Sequence, residues 1–173
     1  VAIITMTEYH STRSFAARGG WWVVTQSILM LAAILLAVMY PGRYTNLAFS
    51  GAGFAVFGIG GYFGITGVIV LGKNRTPFPH PRAGSELVQH GIYARVRHPL
   101  YTSVILASLG WALIWQSLVS FVAGLVLIPF FHAKARREEM ILRQTFSGYE
   151  DYAHRVPRFL PRLGRPLNFV CNF

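Results

Sequence analysis

Residues Trp21 to Tyr40 form an uninterrupted run of twenty residues without a single charge, and a second run from Leu47 to Gly72 is longer still. A helix rises 1.5 Å per residue, so twenty residues cover about 30 Å, the thickness of a bilayer's hydrocarbon core. Backbone polar groups in lipid must be satisfied within the segment, and a helix is the element that does so in a single span. Trp21, Trp22 and Tyr40 stand near the two ends of the first run, where aromatic side chains settle at a membrane interface. The chain is only 13% charged against 53% hydrophobic, about half the charged fraction of an ordinary soluble domain. Its mean hydropathy is +0.43. Lipid is the solvent that this composition requires.

Two further apolar stretches, about 100–116 and 118–135, are separated by Gln116-Ser117 and predict a helical hairpin with Trp111 and Trp115 near its far end. The third helix is expected to start in the His98-Pro99 turn, and the fourth to continue into Lys134-Ala135. The expected fold is therefore all-α, one membrane-embedded bundle of about four helices (21–40, 47–72, 100–116, 118–135) occupying 1–173 as a single domain. A structured loop of about 25 residues from Lys73 to Pro99 and a basic carboxyl-terminal segment complete it. Prolines 77, 79 and 81 exclude a continuous helix through 76–81. No small-residue cleavage site precedes the first apolar run to make it a signal peptide. The glycines of the second run, Gly60 and Gly64 among them, read either as close helix packing or as room for a ligand.

The formal charge of +10 comes from 16 Lys and Arg against 6 Asp and Glu. These cations lie beside apolar runs, where they hold orientation and meet anionic lipid, so the expected partner is membrane lipid and not nucleic acid. Two lie in 1–20, five in 73–99 and eight in 134–173, whereas 41–47 has one and 116–118 none. The positive-inside rule then puts both termini and the central loop on the cytoplasmic side. The single Cys171 cannot form an internal disulfide, no prenylation signal surrounds it, and the scattered histidines have no metal-ligand spacing.

That topology brings two polar clusters to the same membrane face. Glu86 to Tyr101 precedes the third helix, and Arg136-Arg137-Glu138-Glu139 ends the fourth. Ionisable groups at a membrane edge are candidates for a site as well as anchors. Glu138 and Glu139 point about 100° apart on a helix, so one is free to bind a ligand amine or ribose hydroxyls while the other pairs with Arg. His98 before Pro99 reads equally as a helix cap or as a ligand contact. Tyr93 and Tyr101 read as base-stacking rings or as interface anchors. No glycine-rich nucleotide loop or nucleophile elbow is present.

Four pieces of sequence carry a resemblance: Gly72 to Pro81, Leu87 to Tyr101 with its Arg97-His98-Pro99-Leu100-Tyr101, Ala135 to Leu142 with its Glu-Glu pair, and Phe146 to Pro157. The chain resembles the isoprenylcysteine carboxyl methyltransferase and phospholipid methyltransferase family of integral membrane enzymes. The resemblance implies S-adenosylmethionine as cofactor and S-adenosylhomocysteine as product, held by regions 73–101 and 134–162. Leu87, Val88, Tyr93, His98, Pro99, Leu100, Tyr101 and Glu138 would bind the cofactor, and Arg97 or Lys134 would orient an anionic acceptor. Eukaryotic members have Arg where Lys134 stands, and Lys keeps the charge without the bidentate fork. The compact chain resembles small bacterial members, implying an inner-membrane enzyme with its active site on the cytoplasmic side. The reaction implied is direct displacement onto a small or lipophilic acceptor, an isoprenylcysteine-like carboxylate or a thiol. A phospholipid amine, a non-catalytic binding or assembly protein that keeps the cofactor fold, and a sterol-reductase-like activity are the competing readings.

Overall fold

The computed structural model describes residues 19–43, 46–72 and 86–161. Expectations for the first eighteen residues, the proline-rich stretch 73–85 and the end of the chain with Cys171 fall outside these. Helix α1 (Gly20–Met39) and helix α2 (Leu47–Leu71) match the two apolar runs to within a residue. Helix α3 (Pro99–Ile114), helix α4 (Leu118–Thr145) and the short helix α5 (Tyr149–Arg155) follow. A 3-10 turn, Gly91–Ala94, precedes α3.

Three helices, α1, α2 and α4, are long and apolar enough to cross a membrane; α3, at 16 residues, is the shorter apolar helix beside them. Only 11% of the apolar windows of α1 and α2 is buried within the protein. Side chains such as Ile28, Leu31, Phe54, Ile65 and Ile69 point outward. In water such surface would be a large exposed apolar patch, whereas in lipid it costs nothing to expose.

Helix α2 packs on α3 through glycines spaced seven apart. A Cβ at Gly53 would lie 2.6 Å from the backbone nitrogen of Ile114, and one at Gly60 2.8 Å from that of Ala107. Gly67 faces Pro99 and Leu100, and Gly110 of α3 returns the contact at Phe57. Close backbone approach substitutes for the hydrophobic driving force that is missing between helices in lipid. Of the glycines that the sequence left open between packing and ligand space, Gly53, Gly60, Gly64 and Gly67 thus pack. Gly51, Gly58 and Gly61 lie on the other faces, with open space around their Cα atoms.

Helix α1 leans on α4 instead, where Ser120 Oγ donates to the carbonyl of Ala33 at 2.7 Å and Trp22 meets Phe130 at 5.5 Å between ring centres. Helix α4 runs ten residues beyond the expected boundary at 135. Its 28 residues span about 42 Å, so its last two turns stand clear of a 30 Å hydrocarbon core. That overhang carries Glu138 and Glu139 toward the segment that leads into α3.

Candidate functional site

A cavity opens at the end of the bundle where α3 begins and α4 overhangs. Its walls come from four parts of the chain: the end of α2 at Leu71, the segment 86–101, the end of α4 with Phe146 after it, and α5. Leu87, Val88, Tyr93, Arg97, His98, Leu100, Tyr101 and Glu138 all line it. Leu142, Phe146, Tyr149 and Tyr152 add an apolar and aromatic side that motif reading had not assigned.

Two expected site residues stand apart from the cavity. Pro99, at the first position of α3, is fully buried and packs toward Gly67 of α2. Its missing N–H is an orphan of the helix start in any case, so its role there is to set the helix direction. Lys134 lies behind Tyr101: its Nζ is 5.3 Å from the centre of that ring and donates to Gln26 Oε1 of α1 at 2.6 Å. It is 3% exposed. Gln26 is the one residue of this arrangement that sequence reading passed over. The available signal was a lone amide inside a charge-free membrane run, a placement that calls for a partner.

The adjacent carboxylates divide as their angular separation on a helix demands. Glu138 turns to the cavity, where Tyr101 Oη donates to its Oε2 at 2.6 Å. Glu139, 2% exposed, turns inward to a cluster of cations. Arg158 donates to both of its oxygens, from Nη2 at 2.7 Å and Nε at 2.9 Å. Arg97 Nη2 lies 3.2 Å from Oε1, and His98 Nε2 3.1 Å from the same oxygen. A buried carboxylate needs such saturation, since desolvation alone would penalise its charge. Arg158 in turn has its pKa raised, first by the hydrogen bonds it donates to Glu139.

His98 bridges the two carboxylates. Its Nδ1 is 3.7 Å from Glu138 Oε2, and its ring stacks on Tyr101 at 5.2 Å with an interplanar angle of 2°. The ring makes no capping bond to α3. His98 nevertheless holds the N-cap position with Pro99 at the first helical position, as the cap reading has it: its carbonyl accepts from the Tyr101 and Thr102 N–H groups while its ring lines the cavity.

The tail closes the site. Arg97 and His98 donate their backbone N–H groups to the carbonyls of Pro157 at 2.9 Å and Arg158 at 3.0 Å, and Thr102 Oγ1 donates to that of Phe159 at 2.9 Å. These bonds satisfy donors at the start of α3, which no side chain caps. Tyr152 Oη donates to the carbonyl of Tyr93 at 2.7 Å, tying α5 to the 3-10 turn. Burial pushes the phenols of Tyr93, Tyr149 and Tyr152 up, so each remains a hydrogen-bond donor at neutral pH.

The cavity offers apolar walls, aromatic faces, two carboxylates (Glu138 and, at its exposed edge, Glu86) and buried donors in a short compass. The described residues contain no group of three or more His, Cys, Asp or Glu able to hold a metal. The class defined by fold and site is an integral membrane helical protein with a small-molecule cavity at one bundle end.

The phospholipid methyltransferase family profile matches residues 49–148. A probable protein-S-isoprenylcysteine O-methyltransferase of Oryza sativa subsp. indica is 31% identical over 144 residues, covering 81% of this chain and 75% of the relative. The protein-S-isoprenylcysteine O-methyltransferase of Schizosaccharomyces pombe is 28% identical, over 75% of this chain and 58% of its own. The nickel-cobalt-cadmium resistance protein NccN of Alcaligenes xylosoxydans xylosoxydans is 27% identical, over 84% and 65%. The chain belongs to the isoprenylcysteine/phospholipid methyltransferase family of integral membrane proteins. It is a methyltransferase of the general S-adenosylmethionine-dependent class.

Proposed function

We propose that the cavity between the segment 86–101 and the end of α4 holds S-adenosylmethionine, and that the chain passes its methyl group to a lipophilic or small acceptor bearing a carboxylate or a thiol. The observation that carries this reading is the division of Glu138 from Glu139. One carboxylate is fully used by Arg97, His98 and Arg158, while its neighbour is presented to the cavity on the Tyr101 hydroxyl.

The cofactor supplies an electrophilic methyl on a sulfonium. The protein's own residues bind, orient and exclude water. Leu87, Val88, Leu100 and Leu142 provide a dry wall, Tyr93 supplies an aromatic face, Tyr101 holds Glu138 through its hydroxyl, and Glu138 receives a cationic or hydroxyl group of the ligand. A carboxylate or thiolate acceptor is already nucleophilic, so alignment and desolvation suffice and no general base is required. Arg97 is engaged by Glu139, which leaves Lys134 as the cation for an anionic acceptor. Its Nζ bonds the neutral Gln26 amide and faces the Tyr101 ring, a pairing that an anion arriving between α1 and α4 would exchange for its own charge. By the distribution of Lys and Arg, the cavity opens to the cytoplasm of a bacterial cell.

Transfer of a labelled methyl group from S-adenosylmethionine to a panel of prenylated thiol acid, small thiol and amino phospholipid tests the reading. Product on the thiol acid or the thiol is expected. Product only on the phospholipid amine would replace the acceptor class. Tight binding of S-adenosylhomocysteine without transfer to any acceptor would favour a non-catalytic binding protein.

A further inference from the structure

Two buried side-chain atoms have no hydrogen-bond partner among the described residues: the Tyr149 hydroxyl and Arg97 Nε. Tyr149 is 1% exposed and the Arg97 side chain 9%, and both residues line the cavity. Buried polar groups are paired in nearly all native structures, and one left over calls for a physical reason. Packing does not supply that reason. The Tyr149 ring sits edge-on to Tyr152 at 5.9 Å, in a cluster with Val156, Leu142 and Phe146, and phenylalanine would fill the same space.

The surroundings specify the sign of the missing partner. Arg97 and Arg158 share one carboxylate, Glu139, so this side of the site holds one formal positive charge in excess before His98 is considered. Glu138 and the exposed Glu86 contribute negative charge to the same cavity. Two donors beside a surplus cation, with carboxylates elsewhere in the cavity, complement an α-amino acid zwitterion. Burial is the largest influence keeping the Tyr149 phenol protonated, followed by the charge of Glu139.

Building on the methyl-donor reading above, we propose that the Tyr149 hydroxyl and the Arg97 Nε–H form a two-donor subsite for the carboxylate at the amino-acid end of the methyl donor. The ammonium of the same zwitterion then falls to Glu138. Arg97 is suited to this task because its Nη2 is held by Glu139, which fixes the plane of the guanidinium and leaves the Nε–H direction set.

The test is calorimetric binding to the detergent-solubilised full chain and to Tyr149→Phe, using S-adenosylhomocysteine and its decarboxylated analogue, which keeps the ammonium and lacks the carboxylate. Tyr149→Phe is expected to weaken S-adenosylhomocysteine by about tenfold or more, the scale of a hydrogen bond to a charged group. The analogue should bind both proteins equally, and the thermal midpoint should not fall. Equal affinity of both proteins for S-adenosylhomocysteine would overturn the subsite while leaving the methyl-donor reading intact. Equal loss for both ligands, or a lowered midpoint, would make the hydroxyl something other than a carboxylate donor and overturn it as well. Failure of the unmodified chain to bind S-adenosylhomocysteine would instead remove the methyl-donor reading, and the subsite with it.

Discussion

The two ends of this bundle are closed by opposite chemistry. At the cavity end, Glu139 gathers Arg97, His98 and Arg158, and the tail residues 157–159 lie across the start of α3. At the other end, the turn between α3 and α4 is tied to the start of α2 by neutral groups alone. Gln116 Oε1 accepts from the backbone of Asn46 at 3.0 Å, and Gln116 Nε2 donates to the Asn46 carbonyl at 2.9 Å and to Ser50 Oγ at 3.1 Å. Each neutral hydrogen bond contributes about 1 kcal/mol net, and losing one leaves a small defect. A buried ionic cluster gives little net stability when intact but leaves an uncompensated charge when one member is removed. The lesson is that the cavity end is costly to disturb because it is organised around charge, which a site for a charged ligand requires.

The largest expected effect follows from that asymmetry. Glu139→Gln removes the shared carboxylate and strands two guanidinium groups, and is expected to lower stability by about 3–5 kcal/mol. A thermal melt of the detergent-solubilised chain reads this directly, and a midpoint within a degree or two of the unmodified protein would refute the contrast between the ends. Glu138→Gln probes the neighbouring residue with the opposite outcome. It keeps a hydrogen-bond acceptor for Tyr101 and removes only the charge facing the cavity. S-adenosylhomocysteine affinity should fall about tenfold to a hundredfold, corresponding to about 1.5–3 kcal/mol, with little change in the melt. A pair of adjacent glutamates, one governing the fold and one the ligand, would then be separated by two measurements on two proteins.

How far the sequence carried this division is plain from particular residues. The bounds of α1 and α2 were legible because a charge-free run in lipid leaves the backbone no other way to satisfy its hydrogen bonds. The split between Glu138 and Glu139 was legible in principle from the 100° step of a helix, although which faced the cavity depended on the rotation of α4. Its extension to Thr145 was missed because hydropathy falls at Lys134, while the helix continues as an overhanging stalk that packs on the tail. Arg158 was not legible. It stands among eight basic residues of the carboxyl-terminal segment, and only the return of Pro157 to Phe159 across α3 distinguishes it. Tyr149 was legible only as one residue of the stretch from Phe146 to Pro157 that carries the family resemblance, since nothing local marks a phenol whose hydroxyl is buried without a partner.

Arg158→Lys sharpens the comparison on a smaller scale. It preserves the charge beside Glu139 but cannot reproduce the two-pronged donation from Nη2 and Nε. Loss of one charge-assisted bond corresponds to about 1.5–3 kcal/mol, less than the loss of Glu139 itself. A melt of this variant equal to that of Glu139→Gln would mean that fork geometry, and not charge balance, holds the cavity end.

The smallest effects belong to the neutral end, and they have opposing parts that can be measured separately. Gln116 is the one non-glycine residue with positive φ among the described residues, at 52°. A left-handed backbone costs an ordinary residue about 1–2 kcal/mol and costs glycine almost nothing. Gln116→Ala keeps that strain and removes all three side-chain bonds to Asn46 and Ser50, so its melt should fall. Gln116→Gly removes the same bonds but releases the strain, and should be the more stable of the two by about 1 kcal/mol. Neither should alter S-adenosylhomocysteine affinity, because the bundle lies between them and the cavity. If Gln116→Ala weakened the ligand as much as Glu138→Gln does, the two ends would be coupled through the glycine seam of α2 and α3. That seam is the most direct mechanical route: Gly53 and Gly110 meet near the turn, and Gly67 rests on Pro99 and Leu100 at the cavity wall.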